Sequence, residues 1–382
     1  NCSSLINAFI PTNLEPFYQQ VRQQLAQMKL AGAEATVMFI HWGEEYQTSP
    51  NAIQQEIAQQ LCDMGFDVIV GGHPHVIQPV QLLSSRTSPD HKTVCVYSTG
   101  NAVSNQRIAE MNLKTGHTED GMLFSFTLNK YADGTVELED ANILPCWVDL
   151  RTTYGKQYVI IPLDAALQSQ WQTAFGLTDE AYENAIKSYD RTQALVGTGI
   201  AQVQEYLAGQ KQQRDGVGKG GQQCDDNDCP KTVDRADGPC LLSALKIIVV
   251  MLLIGAATLS IVFAWGYFQH SRQPSTEVSI PTIPATEPPT DPPTEPPTEP
   301  PEPEHVISRA TIGATGDLLM HMPVIDTARQ ADGSYNFDYI FRYLQEYTNA
   351  ADFAVANLET TLAGSDMGYK YSGHPAFNTP DA

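Results

Sequence analysis

Two imidazoles one residue apart, His73 and His75, follow directly on a glycine pair in Val68-Ile-Val-Gly-Gly-His-Pro-His75. Imidazole is a common metal ligand and titrates near neutral pH. Four other places carry comparable groups. They are His41 in His41-Trp-Gly-Glu-Glu-Tyr46, Asn101 in Tyr97-Ser-Thr-Gly-Asn101, Asp317 and His321 in Gly316-Asp-Leu-Leu-Met-His321, and Asn357 with Glu359 in Asn357-Leu-Glu359. A lone His-x-His sits as readily in a surface loop as in a site. Five such groups, each just after an apolar run, make one shared centre the better reading. Mixed oxygen and nitrogen donors suit manganese, iron or zinc rather than calcium, which takes oxygen alone. A pair of such ions bridged by a carboxylate makes water a nucleophile at neutral pH, so hydrolysis is the expected chemistry.

The apolar runs that precede these groups, residues 35–40, 66–70, 94–97, 310–315 and 352–356, read as buried strands. Between the first of them lie helical patterns. Phe17, Val21, Leu25 and Met28 form one apolar face. Ile53, Ile57, Leu61 and Met64 form another, with Ser49 as the expected N-cap, Pro50 at the first helical position and Gly65 closing the end. Alternation of helix and fully apolar strand predicts an α/β domain whose sheet is mostly parallel. In such sheets the ligand site lies outside the carboxyl ends of the strands, where all five groups fall. Gly71 and Gly72 let the backbone turn and approach closely, and Pro74 stiffens the loop between the histidines. Ala132-Asp-Gly134 marks a hairpin in material to one side of the chemistry.

A net charge of −22, from 22 basic and 44 acidic side chains in 382 residues, excludes a nucleic-acid binder with a basic face. Seven scattered cysteines form no disulfide framework, and the single C-x4-C at Cys224 and Cys229 is weak metal evidence. Residues 156–209 read as a helical extension, with helices over 165–175, 179–189 and 200–207. Residues 210–240 read as a disordered cytoplasmic segment. Residues 241–268 are almost wholly apolar and are expected to cross a membrane once. Lys219, Lys231, Arg235 and Lys246 before the run, against Arg272 after it, place residue 240 in the cytoplasm and residue 270 outside. Residues 269–304 repeat (Glu/Asp)-Pro-Pro-Thr and read as an extended polyproline stalk.

Taken together, Gly316-Asp317-x-x-x-His321, Asn357-Leu-Glu359, Tyr371-x-Gly373 with Phe377-Asn-Thr-Pro380, His41-Trp-Gly-Glu-Glu-Tyr46, Gly72-His-Pro-His75 with Gln78-Pro79, and Tyr97-Ser-x-Gly-Asn101 resemble the CapA family of poly-γ-glutamate capsule-synthesis proteins. The resemblance implies a calcineurin-like metallophosphatase sandwich of four layers, here split into two sequence pieces. Residues 1–155 would be its C-terminal part and 305–382 its N-terminal part. It implies Asp317, His321, Glu359, His41, His73 and His75 as ligands of a divalent transition metal, with His41, His73 and Asp317 catalytic. It implies Glu44, Glu45, Asn101 and Asn357 as substrate-binding groups. The function implied is a membrane-anchored, extracytoplasmic metal-dependent hydrolase or transferase cutting or forming an amide or phosphoester bond. Its partners would be an anionic capsule or envelope polymer, the membrane and other capsule-synthesis proteins. The alternative is a non-catalytic polymer-binding component of synthesis or export. Two departures stand out. The family's Asn-Asn-His segment is absent, and the family's first half comes last. The expected natural order therefore begins near Lys211, runs to Ala382, passes through a missing stretch and continues at Asn1; the alternative is two adjacent family members, each truncated.

Overall fold

The computed structural model describes residues 8–153, 155–219, 248–252, 305–362, 370–371 and 378–380. The amphipathic spacing near the start forms α1, Glu15–Leu30, which buries Phe17, Tyr18, Val21, Leu25 and Met28. The second helix, α2, is Ala52–Met64. Its cap is Asn51 rather than Ser49. Asn51 Oδ1 accepts from Gln54 N at 2.9 Å and Gln54 Oε1 accepts from Asn51 N at 3.0 Å, a reciprocal capping box. Gly65 ends the helix at φ +89°, a left-handed conformation that favours glycine.

The strands are β1 Thr36–His41, β2 Val68–Gly72, β3 Ile77–Ser84, β4 Lys92–Thr99, β5 Asn101–Val103, β6 Asp120–Tyr131, β7 Val136–Arg151, β8 Gln157–Pro162, β9 Ile248–Leu252, β10 Val306–Leu318 and β11 Phe353–Leu358. They make two sheets, ordered β3-β4-β2-β1-β9 and β11-β10-β6-β7-β8, with β5 also paired to β10. Strands β1, β2 and β4 run parallel, as their unbroken apolar character demands. Further helices are α3 Ile108–Met111, α4 Trp171–Phe175, α5 Asp179–Lys219, α6 Met322–Ala328, α7 Asp338–Phe341 and α8 Gln345–Asn349.

Side chains alternate between the two faces of each strand, and each face finds its own core. Met38, Ile40, Ile69 and Cys95 pack outward against α1 and α2. Val37, Val68, Val70, Val94 and Val96 pack inward against Phe124, Phe126, Ile312 and Ala314 of the second sheet. The far face of the second sheet packs on Val324, Ile325 and Ile340 of α6 and α7. The result is a helix–sheet–sheet–helix stack. Strand β10 lies antiparallel to β6, with Ile312 opposite Phe126, so residues far apart in sequence share one sheet.

The expected helices over 179–189 and 200–207 are one continuous helix, α5, reaching Lys219. Val196, Val203 and Leu207 from it enter the inter-sheet core. Arg191 anchors it: Nε and Nη2 donate to Asp120 at 2.7 and 2.6 Å, and Asp120 is buried. Arg191→Ala strands that carboxylate, and the expected cost is about 3 kcal/mol in urea unfolding.

The expected membrane-spanning helix over 241–268 is corrected by the structure. No helix among the described residues is long and apolar enough to cross a membrane. Within that stretch Ile248–Leu252 is a strand, paired in parallel with β1 from Thr36↔Ile248 to Ile40↔Leu252. The rest of 241–268, the stalk over 269–304 and the Cys224/Cys229 pair lie outside the described residues. A β-branched apolar run suits the edge of a parallel sheet as well as a bilayer, and hydropathy does not separate the two. The single-pass membrane localisation and the inside–outside assignment built on that helix do not stand.

Candidate metal centre

His41 closes β1 and is the register partner of Gly72, which closes β2. The chain leaves β2 through His73-Pro74-His75 with φ +96° at His73 and +56° at His75. Left-handed backbone at a non-glycine residue costs of order 1 kcal/mol or more, and is kept only where the surroundings enforce it. Here Tyr46 N donates to Pro74 O at 2.8 Å and clamps the loop. Both glycines are needed. A Cβ at Gly71 would lie 2.1 Å from Tyr97 O, and one at Gly72 would lie 2.9 Å from Asp317 Oδ1. Trp42 Nε1 donates to that same Tyr97 O at 2.8 Å. Trp42→Phe loses this buried bond, and the expected loss is about 1–2 kcal/mol in chemical denaturation.

Asp317, fully buried on β10, has Asn357 of β11 as register partner on one side and Asn101 of β5 on the other. Its Oδ1 accepts from Asn357 Nδ2 at 2.7 Å. Its Oδ2 accepts from His73 N at 3.3 Å and lies 3.1 Å from His75 Nδ1. Glu359, one residue past β11, places Oε1 3.8 Å from His41 Nε2 and 3.7 Å from His75 Nε2. The rings of His41 and His73 sit 4.5 Å apart. Three overlapping groups therefore bring ligand atoms within 4.8 Å of one another: His41, His73 and Glu359; His75, Asp317 and Glu359; and Glu45, His73 and His75.

These groups can hold a metal ion. The strongest sign of fit is unmet bonding capacity. His73 Nδ1, Glu359 Oε2 and Asn357 Oδ1 are buried without a hydrogen-bond partner, an arrangement that native interiors rarely tolerate. Charge points the same way. Burial, then the Asp317 charge, pushes the Glu359 carboxyl up to about 8. Burial would lower His75, but its hydrogen bond and charge interaction with Asp317 outweigh that and hold it at about 9. Burial would also raise Asp317, yet the His75 hydrogen bond and charge keep its carboxyl low. Burial depresses His41 to about 4, and burial followed by the His75 charge depresses His73.

The pH consequence has a definite sign. Glu359 and His75 are raised above their ordinary 4.5 and 6.5, so their contribution to stability is full below those values. It is lost as pH rises through about 8 and about 9. Depressed His41 acts oppositely: its contribution is present above 6.5 and lost as pH falls toward about 4. Thermal melts of the metal-free protein should fall as pH climbs from about 7 to about 9. A divalent cation should remove that fall, because it replaces the protons that the site otherwise holds.

Not every expected residue joins the cluster. His321 caps the start of α6, its N donating to Leu319 O at 2.9 Å, and it belongs to none of the three ligand groups. Glu44 is exposed and accepts from Asn51 Nδ2 at 3.4 Å, while Glu45 stands exposed at the mouth within reach of His73 and His75. Asn101 is fully buried behind His75, with Oδ1 3.1 Å from His75 Nδ1. Asn357 bridges Asp317 and His41, with Nδ2 3.3 Å from His41 Nδ1. Sequence reasoning passed over Tyr46 and Gln106, joined by a bond from Gln106 Nε2 to Tyr46 Oη at 3.2 Å. Gln106 lies five residues beyond Asn101 in an unpatterned loop, so no spacing signal marks it.

Two stacked sheets with a buried histidine–carboxylate cluster at their strand ends define an α/β domain whose side chains could hold a cation. The sequence model of the bacterial capsule synthesis protein family PGA_cap matches residues 7–106 and 311–382, the two segments that supply this cluster. The PGA biosynthesis protein CapA of Bacillus subtilis (strain 168) is 34% identical over 111 residues, 29% of this chain and 26% of the relative. The capsule biosynthesis protein CapA of Bacillus anthracis is 30% identical over 115 residues, 30% of this chain and 25% of the relative. The matched segments are similar to the CapA family of capsule-synthesis proteins. The aligned regions span about a quarter of the length of these two relatives.

Proposed function

We propose that this domain binds a divalent transition metal, manganese, iron or zinc, and uses it to hydrolyse or transfer at an amide or phosphoester bond of an anionic capsule polymer such as polyglutamate. One observation carries this reading: His41, His73, His75, Asp317 and Glu359 converge from two sheets while His73 Nδ1 and Glu359 Oε2 remain buried and unpartnered. His73, His75, Asp317 and Glu359 would hold the ion, with His41 beside them. When bound, such an ion polarises a carbonyl or phosphoryl oxygen as a Lewis acid.

The protein's own groups supply the rest. His41 is neutral through the physiological range; Asn357 Nδ2 donates to its Nδ1, so the ring proton sits on Nε2, where it can be offered to Glu359 Oε1 or to a group bound beside it. Asn357 fixes Asp317 through the 2.7 Å bond to Oδ1 and keeps its second oxygen turned toward the histidines. Buried Asp317 and near-buried His75 and Glu359 exclude water from the inner side, whereas exposed Glu45 marks the side from which a substrate arrives. A chain of net charge −22 repels a polyanion, so a cation between the two is also the simplest means of holding one.

The test is turnover of γ-glutamyl p-nitroanilide and p-nitrophenyl phosphate by zinc- or manganese-loaded protein, alongside elemental analysis. Turnover of either, lost in His73→Ala together with the metal, supports the reading. Turnover that survives chelation sinks the metal role. Metal-free protein that binds polyglutamate undiminished, with no turnover in any form, establishes a polymer-binding component instead.

A further inference from the structure

Asn101 begins β5 and is the register partner of Asp317 on β10, so both side chains reach His75 Nδ1, each at 3.1 Å. The orientation of the Asn101 amide is set by its other end. Nδ2 faces His75 O at 3.2 Å and Thr118 O at 3.0 Å, two backbone carbonyls that can only accept. It also faces Ser104 Oγ at 3.1 Å and Gln106 Oε1 at 2.9 Å. Turning the amide over would set its oxygen against those carbonyls. Oδ1, an acceptor only, therefore points at His75, and the nitrogen it meets must carry a proton.

Gln106 is held just as firmly. Its N donates to Ser104 Oγ at 3.2 Å, its O accepts from Thr118 Oγ1 at 2.5 Å, and its Nε2 donates to Tyr46 Oη. The whole chain from Tyr46 to His75 is buried or half-buried, so water offers little alternative partnering.

We propose that Asn101 is a positioning residue that fixes His75 in its Nδ1-protonated form, leaves Nε2 as the electron-pair donor facing Glu359, and frees Asp317 Oδ2 to engage a cation. The last clause rests on the metal reading above. The tautomer assignment does not. Without Asn101, Asp317 would be the sole acceptor for the Nδ1 proton, and any cation on Oδ2 would compete with it. With Asn101 in place the proton keeps a partner, and ring orientation survives metal binding.

Histidine-15N-labelled, metal-free protein decides the first part by long-range proton–nitrogen correlation, followed upward in pH until the His75 ring reads as neutral. The expected pattern is a protonated Nδ1 and a bare Nε2. An Nε2-protonated His75 overturns the proposal whatever the metal does. Addition of zinc should then move the Nε2 resonance and leave Nδ1 protonated. If zinc moves no histidine, the metal reading and the role for freed Asp317 fail while the tautomer assignment holds. In Asn101→Leu, zinc affinity should drop about 10–100-fold with the circular dichroism spectrum unchanged. Wild-type zinc affinity in a folded Asn101→Leu protein overturns the positioning role. Should that variant not fold, the wild-type spectra still decide the tautomer, and Asn101→Ala, smaller and equally without the acceptor oxygen, takes its place in the zinc titration.

Discussion

Asp317→Asn is expected to abolish metal retention, with zinc affinity falling at least about 100-fold. Asp317 is fully buried, and its two oxygens face three groups: Oδ1 accepts from Asn357 Nδ2, and Oδ2 accepts from His73 N and lies 3.1 Å from His75 Nδ1. An amide cannot do this. Its NH2 must face either Asn357 Nδ2 or the His73 amide, setting donor against donor in a dry interior. His75 also loses the carboxylate that holds its pKa at about 9, so the ion pair at the centre disappears. Isothermal titration with zinc and elemental analysis after dialysis provide the measurement. A variant that melts like wild type and still retains one equivalent of metal would remove Asp317 from the centre.

Gly316→Ala is expected to destabilise the fold by about 3–5 kcal/mol, measured by urea unfolding. A Cβ there would lie 1.9 Å from Gly100 O and 2.7 Å from Gly100 C, backbone against backbone, with no side chain able to swing away. The residue lies where the β10–β11 register shifts between Thr315 and Asp317, so relief of the clash drags Asp317 out of place. Metal retention should fall together with stability. Gly313→Ala, three residues earlier on the same strand, is the control. Its nearest side-chain neighbours are Leu123 Cδ1 at 3.4 Å and Ala351 Cβ at 3.5 Å, so the expected change is under about 1 kcal/mol. Equal losses in the two variants would show that generic strand disruption, not the Gly100 contact, sets the cost.

The ligand-type residues were legible because their setting is local. An apolar run of five or six residues that ends in glycine and then histidine, carboxylate or amide specifies a strand and what it carries at its carboxyl end. The glycine-ended pattern placed His73 and His75 just past β2, Asn101 at the start of β5 and Asp317 near the end of β10, while His41 closes β1 without a glycine before it. His321 shows the limit: the same motif that announces Asp317 carries it, but the chain turns at Leu319 and leaves it at the N-cap position of α6, outside the three ligand groups. The misread stretch at 248–252 shows another. Apolar character records that a segment avoids water, and a parallel sheet edge satisfies that as fully as a membrane does.

By itself, then, the sequence determined the strand ends and the residue types on them, since strand periodicity and donor chemistry are properties of a few neighbouring residues. Tertiary structure alone decided which ends meet. The pairing of β10 with β6, β5 and β11 brings Asp317 within 3.1 Å of a histidine 242 positions away. It also decided which polar atoms are left unpartnered and which way the Asn101 amide points. Those outcomes depend on hydrogen-bond partners contributed by distant strands and on burial that only the packed sheets create, and no local pattern encodes them.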